Sequence, residues 1–232
     1  MAVIDRGAVA ARLAELRERI AATGRTPADV RVIAVTKGFG PEAVEAAAAA
    51  GIDDVGENYA QELADKARHV APAGHTTRWH FLGHVQRNKV RSIAPLVHLW
   101  QGVDRVAAGE EIAKRSPGAR VLVQVKLDGD GDGHGDAARN GCAPQEVPAL
   151  VGRLGELGLD VRGLMAVGPA GPPELARPGF RAVSALADRL GLVERSMGMT
   201  DDLDVAVEEG STMVRVGRGL FGVRPVATTM RR

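Results

Sequence analysis

Short β-branched runs alternate along the chain with longer stretches rich in Ala, Leu, Glu and Arg. The first helical stretch covers residues 3–22 and stops at Gly24, a residue type that ends helices. Residues 31–36, Arg-Val-Ile-Ala-Val-Thr, read as a first strand closing at Lys37. Pro41 and Gly51 bracket the next helix in the usual Pro-first, Gly-last order. Asp54-Val55 is a short second strand running into Gly56-Glu57-Asn58-Tyr59, and a helix follows to residue 69. Residues 79–82 give a third strand, and the segment from Gly83 to Lys89 opens another helix. Residues 96–100 form the fourth strand, after which Asp104 caps a helix through Arg115. The strongest β pattern, residues 120–126, is the fifth strand, and Pro144 opens the helix after it. Residues 161–167, 193–197 and 213–216 complete the strands, with residues 174–190 helical between the sixth and seventh. Thr200 caps a helix carrying Asp201 and Asp202 in its first turn, where the helix dipole favours carboxylates, and Gly210 ends it. Residues 217–221 make a short closing helix, and residues 128–141, rich in Gly, Asp and Asn without periodicity, read as a mobile loop.

Eight strands alternating with helices predict an α/β fold with a parallel sheet and crossover helices. The compact form is a (β/α)₈ barrel of the TIM type with an extra N-terminal helix, one domain over residues 1–232. An open doubly wound sheet is the alternative. In both architectures sites are built at the C-terminal ends of strands. Lys37, Glu57-Asn58, Gly83-His84, Lys126, Gly168, Ser196-Met197-Gly198 and the segment from Arg215 to Gly217 all fall at or just after such ends. Some of these are simply turns, since Gly and polar residues end strands in any protein.

The last thirty residues carry the sharpest signal. Gly217-Arg218-Gly219-Leu220-Phe221-Gly222 fits G-x-G-x-x-G after a strand. The dinucleotide reading needs a further strand and an acidic residue about 20 positions on. Only ten residues follow Gly222, so that reading fails. The underlying physics remains: glycines let backbone N–H groups approach a phosphate closely. Ser196 and Gly198 after the preceding strand would add a hydroxyl and another N–H, and loops after the seventh and eighth strands grip phosphate in many barrels. A purely structural Gly-rich closure is the alternative.

Five lysines occur. Lys66, Lys89 and Lys114 fall in helical stretches and are expected to be solvated. Lys37 and Lys126 end the first and fifth strands, and an amine there, near a bound phosphate, suggests an imine with an aldehyde ligand. The residues alone do not choose between them. Other signals are discounted. Asp128-Gly-Asp130-Gly-Asp132-Gly133 copies half an EF-hand loop, but position twelve is Arg139 where a bidentate Glu is needed. His80 and His84 lie on strand and turn, so metal spacing fails. Cys142 has no local base and reads as inert, and Gly-x-Ser-x-Gly is absent.

Composition narrows the classes further. With aromatics at 3%, the core must be aliphatic. Thirty basic against 29 acidic residues leave a net charge of +1, without the basic excess of a nucleic-acid or membrane-surface binder. No apolar run approaches the ~18 residues of a membrane span, and the start Met-Ala-Val-Ile-Asp-Arg lacks the pattern of a secretory signal. The expectation is a soluble cytoplasmic protein.

Taken in order, the motifs resemble a known family. They are Val35-Thr36-Lys37, Gly56-Glu57-Asn58-Tyr59, Trp79-His80-Phe81-Leu82-Gly83, Gln86-Arg87-Asn88-Lys89, Arg162-Gly163-Leu164-Met165-Ala166, Ser196-Met197-Gly198-Met199, and Gly210 through Gly217 with Phe221-Gly222. From Val32 to Arg224 the chain resembles the pyridoxal 5′-phosphate (PLP) homeostasis proteins, relatives of the barrel in bacterial alanine racemase. The resemblance implies that Lys37 carries PLP as a Schiff base. It implies that Ser196, Gly198, Gly217 and Arg218 hold the phosphate, that Arg215 faces the pyridine nitrogen, and that Asn58 and His80 line the ring. Three departures stand out: Arg218 where a Thr or Ser is common, His84 after Gly83, and Asn140-Gly141 within a longer Asp/Gly stretch.

The family's usual role is a carrier or reservoir controlling free PLP, with transient partners among PLP-dependent enzymes. An arginine at the ring nitrogen keeps that nitrogen unprotonated and weakens the electron sink. The single tyrosine, Tyr59, and the absence of a second domain leave no acid/base partner opposite Lys37. A non-catalytic, monomeric PLP-binding protein is therefore expected. The alternatives are a minimal PLP-dependent amino-acid racemase with Lys37 as sole base and, more remotely, a phosphosugar isomerase with Glu57 as base.

Overall fold

The protein is described by a computed structural model covering residues 4–73, 76–127 and 140–223. Its centre is a closed barrel of eight parallel strands in sequence order. The strands are β1 (Arg31–Val35), β2 (Asp54–Glu57), β3 (Arg78–Phe81), β4 (Val97–Val103), β5 (Arg120–Val125), β6 (Asp160–Ala166), β7 (Glu194–Ser196) and β8 (Met213–Val216). Closure comes from β8 pairing with β1, with Arg31 opposite Met213 and Ala34 opposite Val216. The open sheet is thereby excluded. Around the barrel lie α1 (Arg6–Ala22), α2 (Glu42–Ala49), α3 (Ala60–Val70), α4 (Arg87–Ile93), α5 (Val106–Arg115), α6 (Val147–Glu156), α7 (Arg177–Arg189), α8 (Leu203–Glu208) and α9 (Arg218–Phe221). Among the described residues no helix is long and apolar enough to cross a membrane.

The two-residue period of a strand separates two cores. Val121, Val123, Val125, Leu164 and Ala166 join the outer core beneath the helices, as do Ala34, Val214 and Val216 on the other side. The alternate residues Ile33, Leu99, Leu122, Met165 and Met213 pack together inside the barrel. Polar residues share these inward positions and are buried: Asp54, His80, Gln101, Ser196 and Arg215.

Helix α1 starts later than its composition suggests. Asp5 takes the cap, its Oδ1 accepting from the N–H groups of Gly7 and Ala8 at 2.8 and 3.2 Å. Val9, Leu13, Leu16 and Ile20 then bury one face against the β8–β1 seam and the last helices. Arg12 donates to the Leu220 carbonyl at 3.0 Å, and Arg19 forks onto Asp204 at 3.0 Å from both Nε and Nη2.

Two expected caps are used otherwise. Asp104 does not cap α5, whose N-cap is Arg105; the Asp104 carboxylate accepts from that guanidinium at 2.6 Å instead. Thr200 does not cap α8, which begins three residues later; its Oγ1 accepts from the Gly219 N–H at 3.2 Å. The Asp/Gly calcium-like segment falls at 128–139, outside the described residues.

Strand β4 runs three residues past its expected end at Trp100. Gln101-Gly102 looks like a strand stop, yet the strand continues with a register irregularity between Trp100 and Val103. The reason is spatial. A Cβ on Gly102 would sit 2.4 Å from the Gly83 carbonyl oxygen, and one on Gly83 would sit 2.0 Å from that of Asn58. The rims of β2, β3 and β4 therefore nest backbone to backbone. Gly102→Ala is expected to cost about 1–3 kcal/mol through overpacking, read as a lower urea midpoint; an unchanged midpoint would show that the rim can part without penalty.

Candidate functional site

A cavity of about 560 Å³ opens at the C-terminal mouth of the barrel, lined by Val35, Lys37, Asn58, Leu82, Met165, Val167, Thr200, Asp201, Arg215, Gly217 and Arg218 among others. That size suits a small organic ligand. Lys37 and Lys126, equivalent as strand-end amines in the sequence, separate here. Lys37 lines the cavity, half-buried, whereas Lys126 is exposed and does not.

The backbone around Lys37 is clamped. Lys66 Nζ donates to the Thr36 carbonyl at 2.7 Å and contacts Glu57 Oε1 at 2.5 Å and Glu62 Oε2 at 3.0 Å. Thr36 Oγ1 donates to Glu57 at 2.6 Å, and the Gly38 N–H donates to Glu62 at 3.0 Å. Both peptide groups flanking Lys37 are thus tied to one charge cluster. The expectation of a solvated Lys66 is overturned: it is 5% exposed and its partner Glu57 is fully buried. Lys66 belongs to the α3 stripe of Leu63, Lys66, Ala67 and Val70, spaced to face the barrel. Burial pushes the Glu57 carboxyl up, against the pull of Lys66 and Thr36.

Arg215, on β8, enters from below. It is 5% exposed, and its Nη1 donates to the Ser196 carbonyl and hydroxyl at 2.6 and 2.7 Å, its Nη2 to the Ala166 carbonyl at 2.7 Å. Burial pushes its ionisation down to about 10, so it remains cationic at neutral pH. His80 and Ser196 do not reach the cavity lining; they lie beneath it. The Ser196 hydroxyl donates to Gln101 Oε1 at 2.6 Å, the Gln101 amide meets His80 Nδ1 at 2.8 Å, and His80 Nε2 meets Asp54 at 2.8 Å. Both ring nitrogens of His80 are therefore engaged within the protein.

The rim beside Lys37, where β8 meets β1, is built around Gly217 and Gly219. A Cβ on Gly217 would lie 3.1 Å from the Val35 carbonyl oxygen, and one on Gly219 would lie 3.0 Å from Thr200 Cγ2. Gly198 holds φ at +89°, and a Cβ there would lie 2.5 Å from that of Ala206, so it shapes the turn beside the cavity without lining it. Arg218 lines the rim, its guanidinium paired with Asp201. The hydroxyl at this rim belongs to Thr200, which the sequence had suggested as a helix cap. Its signal was its place in the Gly198-Met199-Thr200 turn after β7, facing the Gly217–Gly219 loop. A second groove of about 290 Å³ adjoins the cavity and is lined by Asn58, Tyr59, His84, Lys89 and Asn140 among others.

Residues 4–225 match the family described as alanine racemase, N-terminal domain. The pyridoxal phosphate homeostasis protein of Pseudomonas aeruginosa is 39% identical over 219 residues, covering 91% of this chain and 92% of its own. That of Deinococcus radiodurans is 38% identical over 220 residues, covering 92% and 99%. The solved structure of PipY from Synechococcus elongatus PCC7942 with PLP bound is similar at a TM-score of 0.78 and 31% identity, covering 92% of this chain and 100% of that one. The chain belongs to the alanine racemase N-terminal domain family, among the pyridoxal phosphate homeostasis proteins.

Within this family's barrel, two buried groups make stability depend on pH. Burial holds the His80 imidazole below its ordinary 6.5, outweighing the opposing pull of Asp54. His98, with its ring centroid 5.9 Å away, is lowered as well, also chiefly by burial. Burial alone would raise the Asp54 carboxyl, but hydrogen bonds from His80 and Arg78 and the Arg78 charge prevail, holding it well below the usual range. Below pH 6.5 the unfolded chain takes up protons that the native imidazoles refuse, so stability falls. Asp54 adds a second loss as pH drops below its unfolded value of 3.8 towards the lower native one. The melting temperature should therefore decline from pH 7 to 5 and again below 4; a flat profile from 7 to 5 contradicts the neutral buried imidazole. Lys66→Met, which strands Glu57 and the Thr36 carbonyl, is expected to destabilise by about 3 kcal/mol, measured by urea unfolding. An unchanged midpoint would remove the clamp from the account.

Proposed function

We propose that this chain binds pyridoxal 5′-phosphate in the mouth cavity, holds it as an imine on Lys37, and serves as a carrier that buffers the free cofactor and yields it to PLP-dependent enzymes. The observation that carries the reading is the convergence, in one cavity, of an amine, a buried guanidinium and a rim of glycines with a hydroxyl. It is supported by relatives named for PLP homeostasis and by a similar protein solved with PLP bound.

Bound PLP supplies an aldehyde that condenses with a neutral amine, releasing water, and a ring whose pull on electrons depends on protonation of its nitrogen. The residues present fit that group. Lys37 supplies the amine from a backbone tied on both sides, to Lys66 and to Glu62. The Thr200 hydroxyl, the backbone at Gly217 and the Arg218 side chain suit the phosphate, and a Cβ on Gly217 or Gly219 would crowd that rim. Arg215 is assigned to the ring nitrogen, where a fixed cation disfavours a second positive charge. Asn58 lines the same cavity.

The case for carriage over catalysis rests on what surrounds Lys37. The other ionisable side chains among the described lining residues are Asp201, Arg215 and Arg218, and Asp201 is paired with Arg218. Tyr59, 59% exposed, lines the neighbouring groove. Acid/base chemistry at a bound amino acid needs a second positioned group, and this set offers none.

Purified protein incubated with PLP should gain a visible absorbance band that borohydride converts into a stable adduct, mapped by peptide mass spectrometry to Lys37. Lys37→Ala should fold with an unchanged melting temperature in the cofactor-free state and lose the adduct. An adduct on Lys126 would refute the assignment. Rapid exchange of the α-proton of L-alanine in D₂O would turn the reading towards a racemase.

A further inference from the structure

The polar residues under the cavity form one line. Arg78 donates to Asp54 at 2.6 and 3.0 Å, at the opposite end of the barrel from the cavity. Asp54 then meets His80, His80 meets Gln101, Gln101 meets Ser196 and Ser196 meets Arg215, each contact between 2.6 and 2.8 Å. Every middle member is essentially closed to solvent: His80, Gln101 and Ser196 are each 0% exposed. Of these six residues, Arg215 alone lines the cavity.

The direction of each hydrogen bond follows from the ends. A carboxylate only accepts, so His80 must present N–H at Nε2 to Asp54, which leaves Nδ1 of the neutral ring as an acceptor. Gln101 must then offer its amide N–H to Nδ1, and its other N–H lies towards the Met213 sulfur at 3.9 Å. Turning that amide over would set its oxygen against two acceptors. Its Oε1 is left for the Ser196 hydroxyl proton, and the hydroxyl oxygen is left for Arg215, which only donates. Every donor thus points from the cation at the mouth to the anion at the far end. Such aligned chains in a low-dielectric interior strengthen one another.

We propose that Asp54, His80, Gln101 and Ser196 are positioning residues, a one-way donor chain that fixes the rotamer and plane of the Arg215 guanidinium presented to the ligand. The ligand's identity as PLP rests on the reading above, but the orientation of the guanidinium does not. Gln101 is the link to cut, because it touches neither the cavity nor a charged group.

Nitrogen NMR of the full-length, cofactor-free chain at pH 7 tests the chain directly. The expected result is His80 in the Nε2–H tautomer with Arg215 guanidinium N–H signals resolved from one another. In Gln101→Leu, where the carbonyls of Ser196 and Ala166 still hold the group but the Ser196 hydroxyl is no longer aimed, those signals should shift and broaden, and PLP affinity should drop about tenfold with a shifted absorbance band. Asp54→Asn should release the tautomer preference of His80, and it carries the comparison should Gln101→Leu fail to fold. An Nδ1–H tautomer or an imidazolium in the wild-type chain overturns the proposal. So does a folded Gln101→Leu chain with unaltered guanidinium signals, affinity and absorbance. If the wild-type chain takes up no PLP, the functional reading fails, while the guanidinium and imidazole signals still decide for or against the chain.

Discussion

Arg215 carries a positive charge where water is nearly excluded, and the barrel interior is arranged around satisfying it. An isolated buried charge is far more costly than any single contact can offset. Three hydrogen bonds to Ser196 and Ala166 meet the need locally, and the line through Gln101 and His80 to Asp54 places a carboxylate at the other end of the same network. Inward positions of β2, β3, β4 and β7 carry Asp54, His80, Gln101 and Ser196, while Ile33, Leu99, Leu122, Met165 and Met213 form the apolar part of the same lumen. Within the lumen a hydrogen-bonded column runs beside a small apolar cluster, and β4 and β8 contribute to both.

The same division of labour recurs at the mouth. On one side the cluster of Lys66, Glu57 and Glu62 grips the peptide groups either side of Lys37, so the amine projects from a tethered stretch of backbone. On the other, Gly217 and Thr200 line the cavity, and the Thr200 hydroxyl oxygen accepts from the Gly219 N–H. A tethered stretch of backbone at Lys37 and a glycine-bearing rim thus lie side by side where β1 and β8 meet.

Strand count, barrel closure and the mouth location were legible because they follow from a two-residue alternation and from where the polar punctuation falls. The misreadings cluster at residues whose role depends on partners distant in sequence. Lys66 looks like a surface lysine until Glu57 is set beside it, and only its place in an apolar stripe hinted otherwise. Gln101 sat in what looked like a strand terminus, since nothing local reveals that Gly102 must admit the Gly83 carbonyl. Ser196 and Thr200 are both hydroxyl residues near one strand end. Which turns inward is settled by Gln101, 95 residues earlier in the chain. The sequence motifs marked the neighbourhood of the site, whereas side-chain direction needed the closed barrel.

Helix α1 does more than cover a seam. Through Arg19 it bonds the Thr200 carbonyl at 3.1 Å, and through Arg12 the carbonyl of Leu220. Helix α1 therefore braces a turn and a helix from the far end of the barrel's strand order. Until the final strand is synthesised, the apolar face of α1 has no native seam to cover, and the anion rim has no support. The rim beside the cavity is thus held by contacts between residues 181 and 208 positions apart, and it is complete only when β8 and α1 have met.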